Sequence, residues 1–178
     1  WDKVVLGLAT GLEILRDDCK VMLPKWVPYQ TMLPPLAAVL ARAGSPKTAE
    51  AGAQREKLKR WFWCAVFGQA YEGAPNSKSA KDVVELLPWL SGGDLPESVA
   101  SFRFDPRALR DVTPRQRAIY RGAICLILGG GARDFHTQAV ITGKLMADEG
   151  IDDHHVFPAA YLERRGVAPA RQRDCVLN

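Results

Sequence analysis

Two histidines stand side by side in the stretch IDDHHVFP, residues 151–158, after a pair of aspartates and ahead of a proline, and the chain has one other histidine, His136. Neutral imidazole is a good ligand for a divalent metal. With an ordinary pKa near ~6.5 it is also the side chain best suited to take a proton from water at neutral pH. In a strand, neighbouring side chains point to opposite faces. One ring of the pair His154–His155 could hold a cation while the other faces substrate only where the strand bends or ends, and the fixed φ of Pro158 supplies such a bend. An exposed strand end with inert histidines explains the doublet equally well, so on these residues alone both readings stay open. His136, alone in the loop-like stretch DFHTQ, reads as a structural or exposed histidine.

Other candidates are weaker. Gly129–Gly130–Gly131 follows a helical pattern and lacks a Gly-Lys-Ser/Thr continuation, which excludes a phosphate loop. Trp61, Phe62 and Trp63 lie at helical spacing and read as core. The basic residues Arg55, Lys57, Lys59 and Arg60 read as solvated. With Arg115, Arg117, Arg121, Arg164 and Arg165 they could face a phosphate backbone if the fold gathers them on one side.

The elements that must position these residues are mostly helices. Trp1, Val4, Val5, Leu8, Leu12 and Leu15 form one apolar stripe on a helix ending near Asp17. Pro34–Pro35 open a helix with Gly44 as its cap, and Ser45–Pro46–Lys47 is a turn. Leu58, Trp61, Phe62, Ala65 and Val66 mark a helix whose second half is apolar nearly all round, as in a central core helix. Ser79 and Asp82 resemble a capping box opening a helix limited by Pro88. A short helix is expected at 96–102. Thr113–Pro114 start another, striped by Ile119, Tyr120, Ala123, Ile124, Ile127 and Leu128 and stopped by the glycines. Beyond residue 131 the only strands are expected, notably over 151–157, followed by a short helix from Pro158 with Gly166 in a left-handed cap. The division expected is a helical domain over 1–130 and a second element over 131–178.

Composition narrows the function classes. Apolar residues make up 47% and charged residues 25%, as in an average soluble domain. The longest weakly polar run, 122–132, is too short to span a bilayer. A net charge of +4 is compatible with a polyanionic partner without requiring one. Four scattered cysteines without a CxxC pair read as reduced, mostly buried thiols of a cytoplasmic protein. The start at Trp1 suggests a piece of a longer protein.

The stretch DHHVFPAAYL, followed by DCVLN, resembles the motif of the HNH, or His-Me finger, nucleases. More narrowly it is similar to the C-terminal nuclease domain of GmrSD-type and SspE-like modification-dependent restriction enzymes. The segments LKRWFWCAVFGQAY, PNSKSAKDVVELL and GARDFHT extend the likeness from about Leu36 onwards. The resemblance implies a truncated ββα-metal finger on a mainly α protein of bacterial phage defence, cleaving DNA phosphodiesters. It implies His155 as general base, His154 as ligand of one divalent cation, Mg or Mn, and Asn178 as the asparagine that steadies the loop. Arg164, Arg165, Lys57, Lys59 and Arg60 would contact DNA, which carries a phosphorothioate or base modification. An N-terminal sensor and nucleotide-hydrolysing part would complete the enzyme, with no membrane involved. The third letter of the motif would fall beyond Asn178, so this chain alone is expected to bind metal weakly and cut poorly. A DNA-binding or interaction module with a vestigial finger is the alternative. A structural zinc site at His154, His155 and Cys175 ranks behind it, because neighbouring histidines suit a closed tetrahedral site badly.

Overall fold

Helix α3 (Ala49–Phe67) forms the centre of the protein. Trp61, Phe62, Ala65 and Val66 are all sealed from solvent, as the nearly uniform apolar character of its second half demands. The computed structural model describes residues 1–43, 49–148, 154–167 and 170–178. Around α3 lie α1 (Asp2–Asp17), α2 (Leu33–Ala43), α4 (Pro75–Leu90), α5 (Glu97–Ala100) and α6 (Arg117–Gly129). The short helices α7 (Gly143–Asp148), α8 (Ala159–Arg164) and α9 (Ala170–Arg173) follow. Single 3-10 turns occupy Pro24–Trp26, Gln30–Met32 and Pro106–Asp111. The protein is mainly α. The expected turn at 45–47 and cap at Gly44 lie outside the described residues.

Helix α1 packs on α2, but not through the expected stripe. Its buried residues are Gly7, Thr10, Gly11, Ile14 and Leu15, while Val4, Val5, Leu8 and Leu12 are exposed. A Cβ at Gly7 would sit 2.4 Å from the Ala37 carbonyl oxygen, so the backbones meet at a distance only glycine permits. The stripe of large residues is displaced to solvent because the small residues beside it allow the closer contact. Helix α6 repeats this device: Ala118, Gly122, Cys125 and Leu128 are buried, whereas Ile127 is 51% exposed. A Cβ on Gly122 would come within 2.7 Å of Val66 Cγ1.

Helix α4 starts at Pro75, one turn before the expected capping box, with proline at its first position. Asp82 is therefore inside the helix and wholly buried, where it accepts hydrogen bonds from Tyr71 Oη and Lys78 Nζ. Burial first, and then the bond to Asp82, push the Tyr71 hydroxyl far above the usual tyrosine range. Tyr71 also stacks on Tyr29 at 5.6 Å, and Tyr29 donates to Glu72 at 2.9 Å. Pro88 does not stop the helix; it lies in its last turn, and Lys57 Nζ donates to the Trp89 carbonyl at 2.7 Å. Thr113 does not cap α6 directly. Its N–H and hydroxyl both donate to Gln116 Oε1, and α6 begins at Arg117.

No strand occurs among the described residues. Arg133 and Val140 form a single antiparallel bridge, flanked by the bonds Asp134 N–H to Ala139 O at 2.9 Å and Ile141 N–H to Ala132 O at 3.0 Å. Of the strand expected over 151–157, residues 151–153 lie outside the described residues and 154–157 are irregular. The backbone there bonds to Asn178 rather than to a parallel row of partners, so no ladder extends. Cys19, Cys64, Cys125 and Cys175 are free and buried. Among the described residues no helix is long and apolar enough to cross a membrane.

Candidate functional site

The two halves of the motif, 154–158 and 174–178, meet through Asn178. Phe157 N–H donates to Asn178 Oδ1 at 2.8 Å, and Asn178 Nδ2 donates back to the Phe157 carbonyl at 3.0 Å. The same Nδ2 donates to the Arg173 carbonyl at 2.6 Å, and Val156 N–H donates to the Asn178 carbonyl. One side-chain amide thus pairs with a peptide as a second backbone would, and it holds the turn after the histidines to the end of α9.

Helix α8 begins directly after Pro158, whose extended backbone turns the chain into it. Phe157 stacks on Tyr161 at 6.4 Å, and the Arg165 guanidinium lies over the Tyr161 ring at 5.7 Å. Gly166 has φ +75°, the left-handed cap expected, with Gly166 N–H bonded to Glu163 O and Val167 N–H to Leu162 O. Helix α9 is tied to α8 by Arg173 Nη1 to Glu163 Oε1 at 3.1 Å. It is tied to the 3-10 turn Pro106–Asp111 by Arg171 Nε to Asp111 Oδ1 at 3.0 Å. Val176 N–H adds a bond to the Val112 carbonyl at 2.7 Å, and the Cys175 side chain beside it is buried.

Both histidines are exposed. His155 Nε2 lies 3.5 Å from Asp174 Oδ1, a carboxylate absent from the expected set. It sits in the quoted segment DCVLN, four residues before Asn178, but only the fold brings it to the histidine. His154 has no partner among the described residues. Aspartates 152 and 153 lie outside them. Among the described residues no three His, Cys, Asp or Glu side chains converge to hold a metal ion, so the group His154, His155 and Cys175 is not assembled. His154 supplies one exposed imidazole and does not by itself make a closed tetrahedral site.

The basic candidates divide between two places. Arg164 and Arg165 are exposed on α8 beside the motif. Lys57, Lys59 and Arg60 line an open groove of about 360 Å³ with Glu56, Trp63 and Trp89. There Lys57 caps the carboxyl end of α4, Lys59 pairs with Glu56 at 2.6 Å, and Arg60 is exposed with no hydrogen-bond or ion-pair partner among the described residues. His136 is exposed; its N–H donates to Asp134 Oδ1 at 3.1 Å within a tight loop.

No family model and no solved structure matches the chain. Among curated proteins it is similar to the uncharacterized protein MJ0686 of Methanocaldococcus jannaschii, with 27% identity over 159 residues, covering 86% of this chain and 25% of the relative. The chain therefore spans about a quarter of the length of the curated relative it matches.

Proposed function

We propose that this chain is the C-terminal part of a metal-dependent DNA endonuclease of the HNH type, acting in modification-dependent restriction, with 131–178 as its nuclease finger and 1–130 as the helical platform. The observation that supports this most is the Asn178 amide paired with the Phe157 peptide next to His155. An asparagine that locks the loop after the histidine is what the nuclease reading requires of that position.

His155 accepts the proton of the attacking water. The new P–O bond forms as the bond to the 3′ oxygen breaks, and that oxygen leaves and takes up a proton from solvent. His154 would hold a divalent cation, Mg or Mn, which supplies charge relief at the phosphorane and the leaving oxygen when bound. Arg164, Arg165 and Arg60 would contact phosphates, each strengthening binding and adding to its salt dependence. Recognition of the DNA modification and nucleotide hydrolysis are assigned to an N-terminal part of the longer protein, in the cytoplasm.

The test is conversion of supercoiled plasmid to nicked or linear DNA by the full-length protein. We expect cleavage with Mg²⁺ or Mn²⁺ that stops on addition of EDTA. DNA binding that weakens steeply with salt but never cuts, on modified or unmodified DNA, overturns the proposal in favour of a binding module. That second reading draws on the lack of a three-ligand group among the described residues.

A further inference from the structure

We infer that Asp174 is a positioning residue for His155: its carboxylate faces Nε2 and so leaves Nδ1 as the nitrogen that receives a proton. The orientation stands on the geometry, and its use in catalysis rests on the nuclease reading above.

The distance is 3.5 Å from His155 Nε2 to Asp174 Oδ1, within ion-pair range. A carboxylate only accepts hydrogen bonds, and a neutral imidazole carries a single N–H. Facing Asp174, the ring is favoured with that hydrogen on Nε2, and the Nδ1 lone pair points away from the acid. Among the described residues the carboxylate has no other hydrogen-bond or ion-pair partner. The two arginines nearest in sequence are engaged by other acids, Arg171 by Asp111 and Arg173 by Glu163. Asp174 itself is held in place, because its N–H donates to Ala170 O at 3.1 Å, the preceding Arg173 pairs with Glu163 of α8, and Val176, two residues on, donates to the Val112 carbonyl. On the other side, the Asn178 amide fixes the peptide at Phe157, two residues from His155. Both partners of the contact are therefore tethered by bonds in which neither side chain takes part.

Two measurements decide the matter together. The first needs no cleavage activity. With histidine ¹⁵N-labelled and the buffer alkaline, the His155 ring should show a pyrrole-like Nε2 and a pyridine-like Nδ1. Asp174→Ala should move both shifts towards the averaged values of a free histidine, and Asp174→Glu should restore them. Identical ring shifts in the native protein and Asp174→Ala overturn the inference whatever the protein's activity. The second is single-turnover DNA cleavage by the full-length protein. Asp174→Ala should lower kcat about 10- to 100-fold, part of the ~10²–10⁴ that general-base catalysis supplies, with KM within about twofold and recovery in Asp174→Glu. A native protein that never cuts removes the nuclease reading but leaves the ring-shift result standing. A native protein that cuts while Asp174→Ala cuts equally well contradicts the positioning role.

Discussion

Asn178 does with one amide what a strand partner would do with two peptides, and its removal should be felt mainly by the segment it holds. Asn178→Ala leaves the Phe157 and Arg173 carbonyls and the Phe157 N–H without that partner. We expect a loss of about 1–3 kcal/mol of local stability, read as faster hydrogen exchange at Val156 and Phe157 with little change in α3. Unchanged exchange there would contradict the role given to the amide. Asp82 is the counterpart in the core. Replacing it with Ala strands the Lys78 ammonium in a site 12% exposed, at a cost of about 3–5 kcal/mol. Tyr71→Phe, which removes only one donor to the carboxylate, should cost about 1.5–3 kcal/mol. Urea denaturation measures both, and an order reversed between the two variants would show that Asp82 is not the hub. Cysteine supplies a pH dependence. Burial pushes the Cys125 thiol from 9.0 up to about 12, and Cys19 moves the same way for the same reason. The folded state thus keeps protons that the unfolded state loses, so stability is present below about pH 9 and declines as pH rises towards about 12. Urea midpoints should fall across that window, and Cys125→Ala should flatten the fall. At this scale the meeting of the histidine segment with Asn178 was legible through the resemblance, which set the two halves of the motif side by side. Asp174 was not, because nothing in DCVLN says that α9 will turn its acid towards His155.

Helices were easier to read than the faces they bury. The apolar all-round pattern of α3 placed it at the centre correctly, and Gly129 and Gly166 ended their helices as expected. On α1 the stripe of large residues misled except at Leu15, because hydrophobic periodicity weights size whereas close packing of helices favours glycine and alanine at the contact; on α6 Leu128 of the stripe is buried, Ile119, Tyr120, Ala123 and Ile124 are half-buried and Ile127 is exposed. Gly7→Ala should therefore destabilise the protein by about 1–3 kcal/mol through overpacking, since its Cβ would meet backbone of α2. Leu8→Ser, on the exposed stripe, should stay within about 0.5 kcal/mol. Thermal denaturation of the two variants checks the pair, and a larger loss from Leu8→Ser would show that the stripe is packed after all. Pro88 and the Ser79–Asp82 pair were misread for a related reason. Local signals describe an isolated helix, whereas Lys57 and Tyr71 reach α4 from other elements. Residues 154–157 have the composition of a strand but bond to a single asparagine, so no ladder forms.

At the scale of the whole molecule, the helices pack round α3, and among the described residues the C-terminal segment is tied to them by Arg171 to Asp111 and Val176 to Val112, while Arg173 pairs with Glu163 within it. Both histidines are exposed, and the backbone that follows them is held at Val156 and Phe157 by Asn178. Under the proposed function His155 is the proton acceptor of a DNA-cutting site. Its most direct test is plasmid cleavage by the full-length protein and its His155→Ala variant, side by side with Mg²⁺ or Mn²⁺, with circular dichroism and DNA affinity as controls. The variant is expected to keep fold and affinity and to lose cleavage by at least about 10²-fold. Cleavage by His155→Ala at the native rate would contradict it.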